Sequence, residues 1–181
     1  KTGERYTRQQ LLTALLVKSP NDVARALARD NAGSLEDFAA KMNARMARMG
    51  GESSHFVNPN GLPADDQYST ARDMGRIARA AYFNPLLREI MRTKHCMFRY
   101  ATGKTIPLQN TNRVLRTYSF CNGMKTGYTF AAGRCLISSA SAGGREVILA
   151  QFGSKTRYIF DDAERMMRWG LSHGRFLNLS Y

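Results

Sequence analysis

The chain has 181 residues, 43% hydrophobic and 10% aromatic, enough to bury one sizeable core and to form one domain, taken here as residues 1–181. No run of 18 apolar residues occurs, which excludes a membrane-spanning helix. Residues 1–10 are wholly polar, unlike a signal peptide, and the 27 Lys+Arg against 14 Asp+Glu leave a charge of +13 that favours polyanionic surroundings.

The first half reads as helical. Thr7 with Gln10 makes a capping box, and Leu11, Leu12, Leu15 and Leu16 give a helical stripe that must break before Pro20. A second helix runs from about Asn21 to Ala32 and stops at Gly33. Ser34 caps a third, with Leu35, Phe38, Met42, Met46 and Met49 at core spacing and Gly50-Gly51 as its end. Residues 52–68 contain the turn-rich "NPNGLP". Thr70 with Asp73 opens a helix to about Phe83, and Asn84-Pro85 opens a short one after it.

From His95 the period changes. "HCMFRYATGKTIPL" reads as a hairpin around Thr102-Gly103, with Pro107 confining its second arm to an edge. Strands follow at about 123–129, 134–141 and 146–152, joined by short turns into an antiparallel meander. An amphipathic helix from about Arg157 to Trp169 closes the chain. Helices packed on an antiparallel sheet make the fold class α+β.

Composition narrows the chemistry. There is no Lys/Arg run of five, no zinc-finger spacing and no RNP-like aromatic pattern, so no specific nucleic-acid site is expected. Many arginines (Arg25, Arg29, Arg45, Arg48, Arg76, Arg79) fall on presumed solvent faces of helices. Cys96, Cys121 and Cys135 are too few and scattered for a disulfide framework, and Cys135 in its apolar run reads as a small core residue. The three histidines lie far apart, so neither a metal nor another cofactor is expected.

Three stretches concentrate reactive side chains. In "KSPNDVARALA", Ser19 and Asn21 flank a proline between two helices, where both side chains can meet one spot; either could instead simply cap the second helix. In "NGMKTGYT", Gly127 removes a side chain, so a substrate backbone could lie against the strand as an added strand. Lys125 and Thr126 would then offer it a cation and a hydroxyl. In "GSKTRYIFDDAE", Arg157 at the head of the last helix could bind a carboxylate bidentately.

Taken together, "GERYTRQQLLTALLVKSPNDVARALA", "FVNPNGLPADDQYSTARDM", "NTNRVL" and "NGMKTGYTFAAGRCL" resemble, in the same order, the low-molecular-mass penicillin-binding D-Ala-D-Ala carboxypeptidases, peptidase family S11. The resemblance covers roughly residues 2–172. Its Ser-x-Asn element is Ser19-Pro20-Asn21, with Pro where the family usually has Gly, and its Lys-Thr-Gly element is Lys125 to Gly127. The nucleophile motif Ser-x-x-Lys is absent; Ser69 comes closest, with Arg72.

The resemblance implies a β-lactamase/transpeptidase-like fold whose N-terminal strands, together with Ser-x-x-Lys, would precede "GERYT". This chain is therefore expected to be a partial domain that gains from its N-terminal segment as a separate piece. The implied activity is penicillin-sensitive acyl transfer through a serine ester on peptidoglycan stem peptides ending in D-Ala-D-Ala, outside the cytoplasm. Ser19 would relay a proton to the departing D-alanine and Asn21 would hold the substrate amide. Lys125 would supply positive potential, Thr126 and Arg157 would bind the terminal carboxylate, and the Tyr128 N–H would be an oxyanion donor. A serine β-lactamase and a non-catalytic module that binds anionic wall polymers or a membrane surface are the alternatives. Without the nucleophile, the chain alone is expected to be inactive.

Overall fold

In a computed structural model, which describes residues 3–154 and 158–173, the chain begins with the expected capping box. Thr7 Oγ1 accepts from the Gln10 N–H (3.1 Å), and Gln10 Oε1 accepts from the Thr7 N–H (2.8 Å), opening α1 (Arg8–Lys18). Pro20 ends that helix. Its ring disfavours the α conformation one residue earlier, and Ser19 turns left-handed at φ 63°, ψ 47°. Then α2 (Asn21–Ala32) stops at Gly33, whose φ of 87° is open to glycine. Ser34 caps α3 (Leu35–Arg48) through the Asp37 N–H, and α3 packs against α2. Of the methionine stripe only Met46 is fully buried; Met42 and Met49 are half-buried.

The loop at 52–69 has an inner anchor that the sequence reading treated only as a helix start. Asp73, in α4 (Ala71–Tyr82), is 1% exposed. Its carboxylate accepts from Ser54 Oγ (2.8 Å), the Ser53 N–H (3.0 Å) and Arg76 (2.6 Å). These bonds, the Ser54 hydroxyl foremost, hold its pKa below the ordinary carboxylate range. The short α5 (Pro85–Met91), capped by Asn84, follows α4.

β1 (His95–Arg99) and β2 (Thr105–Gln109) form a separate two-stranded antiparallel sheet, so Pro107 does sit on an edge strand, opposite Met97. The larger sheet runs β3 (Cys121–Thr129), β4 (Gly133–Ala142) and β5 (Arg145–Ser154) in the order β3-β4-β5, all antiparallel. The meander is as expected, with each strand slightly longer. Gly123 makes room for its neighbour: a Cβ there would lie 3.0 Å from Ser139 Oγ, close enough that Ser139 would have to shift.

Helices cover both faces of this sheet. Leu136 and Ala140 of β4 pack against Val114 and Leu115 of α6 (Arg113–Thr117) and against Ile159, Ala163 and Met167 of α7 (Ile159–His173). Ile137, with Met124 of β3, faces Ala78, Tyr82 and Met91 of α4 and α5. Strand alternation explains the division, because successive β4 side chains point to opposite layers. The sequence reading assigned no helix at 113–117 and gave the core thiol to Cys135. In the structure Cys135 is half-buried and Cys121, 3% exposed, is the one inside.

The segment 110–112 fastens these layers. Asn112 is fully buried; its Oδ1 accepts from the Val114 and Leu115 N–H groups (3.0 and 3.3 Å), which caps α6. Its Nδ2 donates to the Gly123 carbonyl (2.9 Å) and Ser138 Oγ (3.3 Å), which ties that cap to β3 and β4. Asn110 donates to the Thr93 carbonyl (2.9 Å) and accepts from the Asn112 N–H (2.9 Å).

Asn112→Ala should therefore lose a cap and strand buried partners together, costing about 2–4 kcal/mol in urea unfolding; a change within error would show the network to be dispensable. The lowered pKa of Asp73 implies stability that is present above the unfolded carboxylate value and lost as pH falls through the lower folded value. The gap in melting temperature between the wild type and Asp73→Asn should thus narrow on acidification, and a gap independent of pH would contradict the assignment.

Candidate active site

Two elements distant in sequence meet at one amine. Lys125, half-buried on β3, donates from Nζ to Ser19 Oγ at 2.8 Å and to the Thr126 carbonyl at 2.7 Å. The first bond links positions 106 apart and joins the α1–α2 junction to β3. Ser19 is exposed and points its hydroxyl at this amine instead of capping α2. The N-cap of α2 is Pro20, with no side-chain cap bond, so the capping use of Ser19 or Asn21 is not realised. Asn21 is the exposed first residue of α2, one position beyond Pro20.

Burial takes the Lys125 pKa down from its ordinary value to about 8, because a charged ammonium loses hydration there. The amine is then part neutral near physiological pH and can give or take a proton beside a hydroxyl. In its charged form it offers positive potential at the strand.

Thr126 Oγ1 lies 2.6 Å from Thr111 Oγ1, so its hydroxyl already has a partner within the protein. Thr111 also donates its N–H to the Val17 carbonyl (3.1 Å) in the last turn of α1. Thr111 thus pins the helix that ends in Ser19 to the strand that carries Lys125. In the sequence the only trace of this role is the place of Thr111 between two asparagines in "NTNRVL".

β3 is the outer strand of its sheet, and Gly127 and Tyr128 are exposed on it. A Cβ at Gly127 would meet only Cys135 Cβ at 3.8 Å, an ordinary contact. Among the described residues nothing demands glycine there, whereas a molecule lying along the strand would gain room from it. Tyr128 stacks under the Arg134 guanidinium, 5.1 Å from its ring centroid. Arg157, expected to join this group, lies outside the described residues. Among the described residues no cluster of three or more His, Cys, Asp or Glu side chains converges to hold a metal.

Known proteins share this fold. The Streptomyces K15 DD-transpeptidase superposes with a TM-score of 0.87 at 32% identity, over 93% of this chain and 69% of that one. The chain is 36% identical over 180 residues to the D-alanyl-D-alanine carboxypeptidase DacB2 of Mycobacterium tuberculosis, covering 95% of this chain and 60% of that protein. It is 35% identical over 154 residues to DacF of Bacillus subtilis, covering 85% and 40%. The fold is therefore that of the α+β DD-peptidases and transpeptidases. Residues 1–156 match the D-alanyl-D-alanine carboxypeptidase family, peptidase S11, and the chain belongs to it. It spans 40% to 60% of the length of these two curated relatives.

The Lys125 assignment has a measurable sign. Its folded pKa is depressed, so between about 8 and the unfolded value of 10.5 the unfolded chain binds more protons than the native one. Stability relative to Lys125→Met should rise with pH across that window. Side-chain NMR of Lys125 should titrate with a midpoint near 8, and a midpoint at the ordinary lysine value would refute the burial argument.

Proposed function

We propose that these residues are the substrate-binding and proton-handling part of a serine D-Ala-D-Ala carboxypeptidase acting on peptidoglycan stem peptides outside the cytoplasm. The observation that carries this reading is the 2.8 Å contact of Lys125 Nζ with Ser19 Oγ, in a chain of this family. The terminal dipeptide lies along the free edge of β3 beside Gly127, with its carboxylate drawn to Lys125, Thr126 and Arg157. Ser19 passes a proton to the departing D-alanine, and Asn21 holds the substrate amide. The Tyr128 N–H is one donor to the developing oxyanion.

The covalent step needs an activated serine of a Ser-x-x-Lys element, and the 181 residues contain none. Their role is to bind, orient and relay protons. β-Lactams, as mimics of the dipeptide, occupy the same cleft. The charge of +13 suits an anionic wall polymer or membrane surface nearby. Among the described residues no helix is long and apolar enough to cross a membrane.

Two measurements test the proposal. Mass spectrometry of the 181-residue chain after exposure to benzylpenicillin should show no penicilloyl adduct; a stoichiometric one would mean that a nucleophile has been overlooked. In an NMR titration, an N-acylated D-Ala-D-Ala peptide should shift the β3 resonances around Lys125 to Tyr128, and its L,L isomer should not. Lys125→Ala should weaken that binding about tenfold, or ~1.4 kcal/mol. Equal response to both isomers would sink the substrate assignment.

A further inference from the structure

The Ser19–Lys125 contact has the parts of a second kind of chemistry. A serine becomes a nucleophile when a neutral base sits within hydrogen-bond reach of its hydroxyl, and lysine can serve as that base when it is desolvated. Here the Oγ–Nζ distance is 2.8 Å, and Ser19 is open to solvent. Among the described residues the amine has no carboxylate partner and bonds only to Ser19 and to the Thr126 carbonyl, and burial is what shifts its charge. Ser19 also adopts the left-handed backbone (φ 63°), an arrangement that a non-glycine residue keeps only when its surroundings enforce it and that clusters at functional sites. The enforcement is visible: Pro20 follows it, and Thr111 fixes the last turn of α1 through Val17.

We propose that Ser19 and Lys125 form a nucleophile–base pair able to react with neutral acyl and phosphonyl donors. Ser19 Oγ forms a bond to the electrophilic carbon or phosphorus, and the bond to the leaving group breaks with its electron pair. The hydroxyl proton passes to the neutral Lys125 amine. With an ester, Lys125 returns that proton to the leaving alkoxide, and water hydrolyses the acyl-serine. With a fluorophosphonate, fluoride departs, the proton goes to solvent and the adduct stays. An anionic donor behaves differently: its charge beside Lys125 keeps the amine protonated and the serine unactivated. Ser19 is thus silent toward benzylpenicillin and reactive toward uncharged electrophiles.

The test is to treat the 181-residue chain with a neutral alkyl fluorophosphonate and map the adduct by tandem mass spectrometry. One phosphonyl group on Ser19 is expected. Ser19→Ala should carry none, and Lys125→Arg, which keeps the charge but cannot supply a neutral amine, should label on the order of a hundredfold more slowly. If Lys125→Arg does not fold, Lys125→Met replaces it as the base-free variant. An unlabelled wild type, a label on another serine, or an unchanged rate without the lysine overturns the pair. The carboxypeptidase reading is separately exposed: selective D,D-peptide binding without phosphonylation would preserve it and remove this one.

Discussion

The buried amide of Asn112 spends every one of its side-chain hydrogen-bonding groups on a different part of the fold. Its oxygen caps α6, while its nitrogen reaches β3 at Gly123 and β4 at Ser138. A group so fully enclosed is costly to leave unpaired, so the geometry it enforces is close to obligatory. Gly123 belongs to the same arrangement, since a side chain there would press against Ser139. Two residues along β3 from this joint sits Lys125. One residue back along the loop sits Thr111, holding both Thr126 and the end of α1. The polar joint in the sheet thereby sets the separation between a lysine on a strand and a serine between two helices.

That dependence also explains which parts could be read in advance. The helices at 8–18, 21–32 and 35–48 announce themselves through local chemistry: a capping box, a proline and a glycine stop. The meander does so through short apolar strands and small-residue turns. By contrast, α6 has five residues and exists because Asn112 caps it and the sheet holds Asn112, none of which leaves a periodic trace. Cys135 and Cys121 both stand in β strands of the sheet, and only their places relative to α6, α7 and the exposed edge decide which is enclosed.

The candidate site residues stood out for a different reason. Ser19, Asn21 and Lys125 were singled out by residue type at a helix junction and a strand edge, and the ordered likeness to a family joined them. The 106-position contact between Ser19 and Lys125, the left-handed backbone at Ser19 and the bracing by Thr111 are products of packing that no short motif encodes. Thr126 shows the limit of motif reading most clearly. Its hydroxyl looks free in the tripeptide, and the fold gives it to Thr111.

The backbone at position 19 places two demands in opposition. A φ of 63° is comfortable for glycine and asparagine and strained for serine. Either replacement would relax the junction, and both would remove the hydroxyl that meets Lys125. Selection for heat resistance alone would therefore push this position away from serine, in the usual trade between stability and function. Thermostabilised variants of this chain should be chosen with residue 19 held fixed, because the substitutions most favourable to the backbone there also remove the hydroxyl that Lys125 meets.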